Sequence, residues 1–543
     1  MKKEISEIYN LINDRNIDKA YIEAKRLYQI DSENLEIIKI LAFLHIQKSQ
    51  FQSAIDLLNN FYERRPKDKD FDYYANLGIS YKSLEDFKKA LEAYEKARDI
   101  NPESPLSYTV PAEIFLKLNQ YEKANELINT AISKINPSLK NTLHFPNAIK
   151  LKTEINVALN KDKENEIILL KILNENFNPD IFYLLALVNS KSIDESLLKK
   201  AESYLKGNSK IYTNKLDRFW YVQPILFGLA IYYANFDKQK SENYFHLGNA
   251  ETMNSIRYNS FSYQQNINET IQKYEDNFLN LKNDQKQSDK NNFFILGTPR
   301  SGTTLIESII GSNTNVTSGG ELLSASSLIQ EYINKDESNN VKSFIERFTS
   351  TYISRTNFIK GDSKYIIDKL PENFLFIGYI LKIIPGSKII RTFRNPWDVA
   401  VSLYKQRYVT NIPYSASFFN IGVFMANFEA INIYWNENMP EKGNVLDVYY
   451  EDLVEQPDLY QRKIYEFLGL NSDDYSEEKR RRFFSQTASM RQIGGQIHKK
   501  SVKKEEFINK KEEFYDALEM QRKYWRKKGY IPEKSKFFGY ELK

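Results

Sequence analysis

The sequence predicts two architectures in one chain: an all-helical repeat array that forms an α-solenoid, and after it an α/β domain built on a parallel sheet. Alanines recur at regular spacing through the first quarter of the chain, a pattern typical of stacked helical repeats. The second half begins with a short apolar run, a glycine-bounded loop and an amphipathic helical pattern. Strand-like runs then alternate with longer helical patterns, which favours a parallel sheet covered by helices.

The first 138 residues predict paired-helix repeats. Four small residues recur in similar helices at spacings of 34, 36 and 34 residues: Ala20, Ala54, Ala90 and Ala124. Three prolines follow the last three alanines, where each ends the second helix of a unit: Pro66, Pro102 and Pro137. A small residue lets two helices approach closely, and proline turns the chain into the next unit. A paired-helix unit of this length is the tetratricopeptide pattern, which we assign to residues 1–138.

Three further segments complete the predicted domain organisation. Apolar helical segments continue through residues 139–282, but the period blurs, so we expect an irregular helical continuation of the array. Residues 283–292 are polar throughout and predict a linker, and residues 293–543 form the α/β domain. Repeat surfaces commonly bind peptides or proteins, so we expect the array to bind a protein, a peptide or another large partner. The alternative is that the array only packs against the C-terminal domain.

Composition excludes several classes of function. The 76 basic and 71 acidic residues leave a net charge of +5, which is too weak to imply nucleic acid or an anionic membrane as a partner. The chain has no Cys, which excludes disulfides, thiolate metal sites and a Cys nucleophile. The N-terminus has no apolar signal core, and no run of about 18 apolar residues occurs. We therefore expect a cytoplasmic protein without a membrane span.

A phosphate-binding loop is predicted between Gly297 and Gly302, because the sequence there is G-x-x-x-x-G followed by hydroxyl residues. The amides of such a loop and the N-terminus of the next helix form an anion site. A nucleoside triphosphatase carries Lys after the second glycine, whereas this chain has Thr303 there and a cation, Arg300, inside the loop. A loop that has Arg300 but lacks that lysine suits an anion with less charge than a triphosphate. The alternative is a chance match in an ordinary strand-to-helix turn.

A second anion site is predicted after another strand-like run. Arg394 ends that run, Asn395 and Pro396 begin a helix, and Ser402 lies about two turns into it. An Arg and a hydroxyl near a helix start suit a second phosphate. Plain capping would account for Asn395 and Pro396 but leaves Arg394 and Ser402 without a role.

Other polar residues fall where parallel strands end, which is where such sheets bind ligands. Glu321 follows two glycines and could act as a general base. Lys369 directly follows a strand and could stabilise charge on a transferred group. Tyr450 could flank a purine, and the basic run 499–504 could close over phosphates. The ordinary alternatives are that Glu321 is a solvated carboxylate, that Lys369 is an exposed lysine in a turn, and that the basic run is a solvated charged face.

Together these segments resemble the sulfotransferase superfamily, most closely the bacterial tetratricopeptide-repeat sulfotransferases and the tyrosylprotein sulfotransferases. The likeness covers about residues 290–510. Four stretches match in order and approximate spacing: Gly297 to Leu305, Asp368 to Phe374, Lys388 to Ser402 and Tyr450 to Val454. The resemblance implies a co-substrate, 3′-phosphoadenosine-5′-phosphosulfate, whose sulfuryl group moves to an acceptor hydroxyl without a metal. That hydroxyl could belong to a protein tyrosine or a saccharide.

The resemblance also implies donor-binding residues. Five residues of the loop would hold the 5′-phosphosulfate: Arg300, Ser301, Gly302, Thr303 and Thr304. Arg394 and Ser402 would hold the 3′-phosphate, and Tyr450 would lie near the adenine. Lys504 matches a donor-binding lysine, although Glu505 stands where the family has a Trp after it.

Catalytic roles follow from the same resemblance. Glu321, in its Gly-Gly-Glu context, matches the family's catalytic glutamate, Lys369 matches its catalytic lysine, and Ser489 matches a serine that assists the transition state.

One alternative is a repeat scaffold whose α/β domain binds nucleotide but is catalytically degenerate. A P-loop kinase or triphosphatase is a further alternative, which the missing loop lysine disfavours.

Overall fold

The computed structural model describes residues 1–14, 16–135, 144–208, 215–281, 291–334, 340–408, 412–481, 483 and 506–540. The chain forms two compact units, Met1–Ile155 and Asn156–Lys543. In the described residues, no helix combines the length and the apolar character that crossing a membrane requires.

The first unit consists of helices. Their bounds are α1 Lys2–Asn13, α2 Ile17–Ile30, α3 Leu35–Gln47, α4 Phe51–Tyr62, α5 Phe71–Ser83, α6 Phe87–Ile100, α7 Leu106–Lys117, α8 Tyr121–Lys134 and α9 His144–Ala158, the last of which continues past the unit's end. The four alanines that predicted the repeats have no exposed surface: Ala20, Ala54, Ala90 and Ala124. The predicted helical repeat architecture is therefore confirmed.

Close helix contact within a repeat is clearest between α5 and α6. A Cβ atom added to Gly78 on α5 would lie 2.5 Å from the ring of Tyr94 on α6, so the ring occupies the space of the missing side chain. Two of the predicted helix-ending prolines lie just beyond α4 and α6, at Pro66 and Pro102. Pro137 lies outside the described residues.

The second unit begins with more helices: α10 Asp162–Glu175, α11 Pro179–Asn189, α12 Glu195–Asn208, α13 Lys215–Tyr233, α14 Lys238–Ser255 and α15 Ser262–Asn277. Residues of α11, α13, α14 and α15 share one core with the α/β part of the same unit. The Tyr379 hydroxyl donates a 2.9 Å hydrogen bond to the Thr270 carbonyl on α15. Asn249 Nδ2 on α14 donates to the Tyr404 carbonyl at 2.9 Å. Residues before the sheet thus help to shape the domain that the sheet organises.

Five parallel strands form the sheet: β1 Asn292–Gly297, β2 Val316–Ser318, β3 Tyr365–Asp368, β4 Lys388–Phe393 and β5 Val445–Tyr449. Their spatial order is β2-β3-β1-β4-β5. The helices between and after them are α16 Thr303–Gly311, α17 Ser324–Asn334, α18 Val341–Lys360, α19 Ile377–Ile383, α20 Pro396–Tyr404, α21 Phe418–Asn438, α22 Tyr450–Glu455, α23 Pro457–Leu468, α24 Glu477–Arg481 and α25 Lys511–Lys527. The predicted parallel α/β fold is confirmed.

Strand β1 is buried along its whole length because helices cover both faces of the sheet. Phe294 and Leu296 pack into the core on one face, whereas Phe293 and Ile295 pack into the core on the other. Since β1 lies between β3 and β4, the chain winds to either side of it, and the carboxyl ends of these strands border one crevice. The candidate site lies there.

Candidate functional site

The glycine-bounded loop connects β1 to α16 and has the backbone geometry that its sequence predicts. Gly302 has φ +103°, and a Cβ atom there would lie 2.5 Å from the Tyr450 ring. Arg300 also has a positive φ, of 72°. The loop therefore turns tightly and delivers the N-terminus of α16, whose first amides have no carbonyl of their own helix to bind. These amides and the helix dipole favour an anion.

Arg300 and Ser402, which the sequence assigns to two different anion groups, are in direct contact. Arg300 Nε donates a 2.9 Å hydrogen bond to Ser402 Oγ on α20. Arg394 Nη1 donates to the Arg300 carbonyl oxygen at 2.9 Å. Burial lowers the pKa of Arg300, and the neighbouring positive charge of Arg394 adds to that effect. Two buried guanidinium groups beside a helix N-terminus attract an anion that can share both charges.

Tyr450 connects the loop to the second arginine. It lies against Gly302 on one side, and the guanidinium carbon of Arg394 lies 4.2 Å from its ring centroid. Glu451 Oε1 accepts a 3.0 Å hydrogen bond from the Asn395 amide, which holds the start of α22 against the start of α20. An aromatic ring is therefore fixed beside the Arg394 guanidinium group and Gly302. A role of Tyr450 near a purine stays a prediction.

Asn395 and Pro396 have the capping role that the sequence predicts. The Asn395 side chain accepts hydrogen bonds from the Trp397 and Asp398 amides at 3.0 and 3.3 Å, and Pro396 begins α20. Capping fixes where α20 starts and thereby where Ser402 lies relative to Arg300.

Glu321 and Lys369, far apart in sequence, form an ion pair at the other side of the crevice. Lys369 Nζ lies 2.6 Å from Glu321 Oε1. The Lys369 side chain has no exposed surface, whereas 43% of the Glu321 side chain is exposed. The carboxylate can therefore meet an incoming molecule while the ammonium group stays inside the protein.

The backbone around strand β2, which the sequence analysis did not predict, places this pair. The Gly319 amide donates to the Ile367 carbonyl at 2.9 Å, and the Lys369 amide donates to the Gly320 carbonyl at 2.9 Å. Gly320 has φ +66°, a conformation that favours glycine. The two glycines thus carry Glu321 past the end of β2 and directly beside Lys369.

Glu307 is a member of the site that sequence analysis missed. It lies on α16 with no exposed surface, and its Oε2 lies 3.9 Å from Lys369 Nζ. Ser318 Oγ donates a hydrogen bond to its Oε1 at 2.5 Å. Lys369 therefore lies between two carboxylates. The apolar pairs that identified α16 predict a helix but give no sign that an acidic residue on it is buried.

Tyr408 is a second residue that was not predicted. Burial raises its pKa to about 12, while the charge of Arg300 lowers it and that of Glu321 raises it. The phenol is thus within electrostatic reach of both the loop arginine and the exposed carboxylate.

Two predicted residues, Ser489 and Lys504, lie outside the described residues. The other predicted donor-binding and catalytic residues follow the carboxyl ends of strands β1 to β5 or lie on the helices that come after them. In the part of the chain that the structure describes, His, Asp and Glu side chains form no cluster of three suited to a metal ion.

Two parts of the chain match models of known families. Residues 292–474 match the model of the sulfotransferase family, and residues 71–104 match that of the tetratricopeptide repeat. An "Uncharacterized protein" of Aquifex aeolicus (strain VF5) is 32% identical over 235 residues, which are 40% of this chain and 30% of the relative. A Caenorhabditis briggsae protein named "Putative protein-tyrosine sulfotransferase" is 25% identical over 199 residues, which are 34% of this chain and 66% of the relative. The chain thus spans less than two thirds of either relative.

Among solved structures, the sulfotransferase domain from the Synechococcus PCC 7002 olefin synthase is 18% identical, with a TM-score of 0.28. The likeness covers 44% of this chain and 96% of that one. The family matches confirm the resemblance that the motifs predict. This chain thus combines a region that matches the sulfotransferase family, residues 292–474, with a region that matches the tetratricopeptide repeat, residues 71–104.

Proposed function

We propose that this domain moves the sulfuryl group of 3′-phosphoadenosine-5′-phosphosulfate to an acceptor hydroxyl, with Glu321 as general base. The observation that carries the proposal is the 2.6 Å contact between Lys369 Nζ and Glu321 Oε1 in the crevice that also holds Arg300. A base and a buried cation are thereby side by side, close to an anion-binding loop. This is what in-line transfer of a charged group requires.

The donor carries two separate anionic groups, and the chain's residues fit them. The amides at the start of α16 would hold the 5′-phosphosulfate, together with five side chains or backbone groups of the loop: Arg300, Ser301, Gly302, Thr303 and Thr304. Arg394 and Ser402 would hold the 3′-phosphate. Because Arg300 Nε already contacts Ser402 Oγ, we propose that Arg300 serves both groups. Tyr450, fixed beside Gly302 and Arg394, would lie against the adenine.

In the proposed step, the acceptor oxygen forms a bond to sulfur as the bond from sulfur to the phosphate oxygen breaks. The acceptor proton passes to the Glu321 carboxylate, which its exposure makes accessible. Lys369 and Arg300 stabilise the negative charge on the transferred group and on the leaving phosphate oxygen. The product nucleotide is 3′-phosphoadenosine-5′-phosphate. Ser489 and Lys504 would assist the transition state and hold the donor, respectively, by family likeness alone.

We also propose that the repeats of the first unit select the acceptor, which could be a protein tyrosine, a saccharide or another large molecule. Stacked helical repeats offer extended surfaces that commonly bind peptides or proteins. The Caenorhabditis relative's name refers to protein tyrosine as a substrate, which makes a tyrosine-bearing peptide a reasonable first acceptor to assay.

The direct test is calorimetric titration with 3′-phosphoadenosine-5′-phosphate, with 5′-AMP as control. We expect tight binding that depends on the 3′-phosphate, and an Arg394→Ala variant that loses most of the preference for it. If the folded protein binds neither nucleotide, the proposed donor is wrong. If Arg394→Ala weakens the binding of both nucleotides equally, the assignment of Arg394 to the 3′-phosphate is wrong.

A further inference from the structure

Glu307 is a buried carboxylate that the proposed transfer step does not use. It lies on α16, the helix that begins at the anion-binding loop, and its side chain has no exposed surface. Apolar neighbours on the same helix pack into the core: Ile306, Ile309 and Ile310. Burying a carboxylate costs free energy unless cations or hydrogen-bond donors compensate its charge. The groups that compensate Glu307 therefore indicate its role.

Both carboxylate oxygens of Glu307 interact with the surroundings of the proposed base. Glu307 Oε2 lies 3.9 Å from Lys369 Nζ. Glu307 Oε1 accepts a 2.5 Å hydrogen bond from Ser318 Oγ, which itself accepts a 3.1 Å hydrogen bond from the Gly320 amide. Gly320 directly precedes Glu321 in the chain. One oxygen thus faces the lysine, and the other is connected through Ser318 to the backbone that carries the proposed base.

The same helix connects Glu307 to the proposed donor site. Thr303 is the first residue of α16, and Glu307 follows it by four residues. Side chains at this spacing are neighbours on one face of a helix. Thr303 is among the residues that we propose to hold the 5′-phosphosulfate. The helix that would bind the donor at its first turn therefore presents a carboxylate to Lys369 one turn later.

The ammonium group of Lys369 is shared by two carboxylates of different exposure. Glu321 Oε1 lies 2.6 Å from Lys369 Nζ and belongs to a side chain that is 43% exposed, whereas Glu307 is inside the protein. An ammonium group paired with Glu321 alone would stabilise the ionised carboxylate and make it a poorer proton acceptor. Once Glu321 has taken a proton, Glu307 would still supply the negative charge that a buried ammonium group needs.

We propose that Glu307 is a positioning residue for sulfuryl transfer. It retains the Lys369 ammonium group at the site while Glu321 takes the acceptor proton, and through Ser318 it fixes the backbone that carries Glu321. This inference rests on the proposed function, because it takes Glu321 as the base. No bond to Glu307 forms or breaks, so the bonds and the proton transfer of the step are those given above.

Two substitutions at Glu307 separate charge from shape. Glu307→Gln keeps the shape of the side chain and removes its charge, whereas Glu307→Asp keeps the charge and is one methylene shorter. We expect Glu307→Gln to lower the turnover rate by about 10–10²-fold, because Lys369 and Glu321 are no longer held in the productive arrangement. Glu307→Asp should retain more turnover than Glu307→Gln. Glu346→Gln, at an exposed position of α18, is the matched control and should retain full turnover.

Calorimetry with 3′-phosphoadenosine-5′-phosphate distinguishes positioning from a loss of structure. Removing a negative charge near an anion site does not oppose anion binding, so Glu307→Gln should bind this nucleotide at least as tightly as the wild type does. A packing defect in α16 would instead weaken nucleotide binding together with turnover, since the first turn of this helix belongs to the proposed donor site. Ser318→Ala, which removes the hydroxyl between Glu307 and Gly320, should also lower turnover without weakening nucleotide binding.

Turnover is measured as release of 3′-phosphoadenosine-5′-phosphate from the donor with a tyrosine-bearing peptide present, so that transfer to the peptide and to water are both counted. Wild-type protein that releases no product refutes the proposed function and the positioning role with it. Wild-type turnover that persists undiminished in Glu307→Gln refutes the positioning role alone. So does a Glu307→Gln variant that is more active than Glu307→Asp, or one whose nucleotide affinity falls in parallel with its turnover.

Discussion

Arg300 Nε donates a 2.9 Å hydrogen bond to Ser402 Oγ, which joins the loop after β1 to the helix after β4. The contact orients a guanidinium group that is otherwise held in a strained loop, since Arg300 has φ 72°. An anion bound by the loop or by the helix would therefore also interact with the other element through this contact.

Ser402→Ala tests this coupling. We expect about tenfold weaker binding of 3′-phosphoadenosine-5′-phosphate, because the substitution removes one hydrogen bond to a charged group and frees Arg300 to reorient. Calorimetry with 5′-AMP in parallel measures whether the loss depends on the 3′-phosphate. Ser343→Ala, at an exposed serine of α18, is the control. Unchanged affinity in Ser402→Ala would show that the contact has no role in anion binding.

Glu321→Gln should separate chemistry from donor binding. The amide cannot take the acceptor proton, so we expect the turnover rate to fall by about 10²–10⁴. Binding of 3′-phosphoadenosine-5′-phosphate should stay within about twofold, because Glu321 has no assigned role in holding the donor. The measurement is the turnover rate with a tyrosine peptide beside calorimetry of the nucleotide. Full turnover in this variant would remove Glu321 as the base.

Lys369→Met should destabilise the protein more than any substitution at Glu321. It removes the ammonium group that lies 3.9 Å from the carboxylate of Glu307, which has no exposed surface, and breaking such a buried pair costs about 3–5 kcal/mol. Urea unfolding measures the loss. Adding Glu307→Gln to Lys369→Met should recover part of that loss, since the buried negative charge is then gone. Lys342→Met, at an exposed lysine of α18, should be nearly neutral, and a Lys369→Met variant as stable as this control would contradict the buried pair.

Gly302→Ala should disturb the loop through geometry alone. Gly302 has φ +103°, and a Cβ atom would lie 2.5 Å from the Tyr450 ring. We expect a stability loss of about 1–3 kcal/mol and weaker nucleotide binding as Tyr450 moves away. Thermal unfolding and calorimetry measure the two effects. Gly443→Ala meets nothing within 4 Å and should change neither. An unaffected Gly302→Ala variant would mean that the loop tolerates another backbone conformation.

Glu372 should make folding less favourable as pH rises. Burial raises its pKa from an ordinary value near 4.5 to about 7, and the charge of Glu321 acts in the same direction. Below pH 4.5 both states are protonated at this residue, and between 4.5 and 7 only the unfolded state loses its proton. Because the folded state then holds more protons, the free energy of unfolding falls with rising pH and reaches its full loss above 7.

Urea unfolding of the wild type and of Glu372→Gln across this pH range isolates the effect. We expect the wild type to lose about 1–2 kcal/mol relative to the variant, since partial exposure reduces the cost of the charge. If the difference in the free energy of unfolding between the wild type and Glu372→Gln stays constant across this pH range, the raised pKa of Glu372 is contradicted.

The sequence by itself determined the features that depend on residues close together in the chain. Helical periodicity, the repeating alanines and the strand-like runs at β1, β3, β4 and β5 are local patterns, so the architecture of each part could be predicted. Gly297 and Gly302 likewise predicted a tight loop, because the shape of such a loop depends on the backbone conformations that glycine can adopt. Glu321 and Lys369 could be named because each follows a distinctive local motif, although the domain boundaries and catalytic roles assigned from sequence stay predictions.

Only the tertiary structure decided which side chains meet. The Arg300–Ser402 and Lys369–Glu321 contacts and the approach of the buried Glu307 to Lys369 all join segments that are distant in the chain. Burial and electrostatic pairing depend on how helices and strands pack, and an amphipathic pattern does not reveal which polar residue of a helix faces the core. For the same reason the three-residue strand β2 was missed, because it is defined by its pairing with β3 and not by its own sequence.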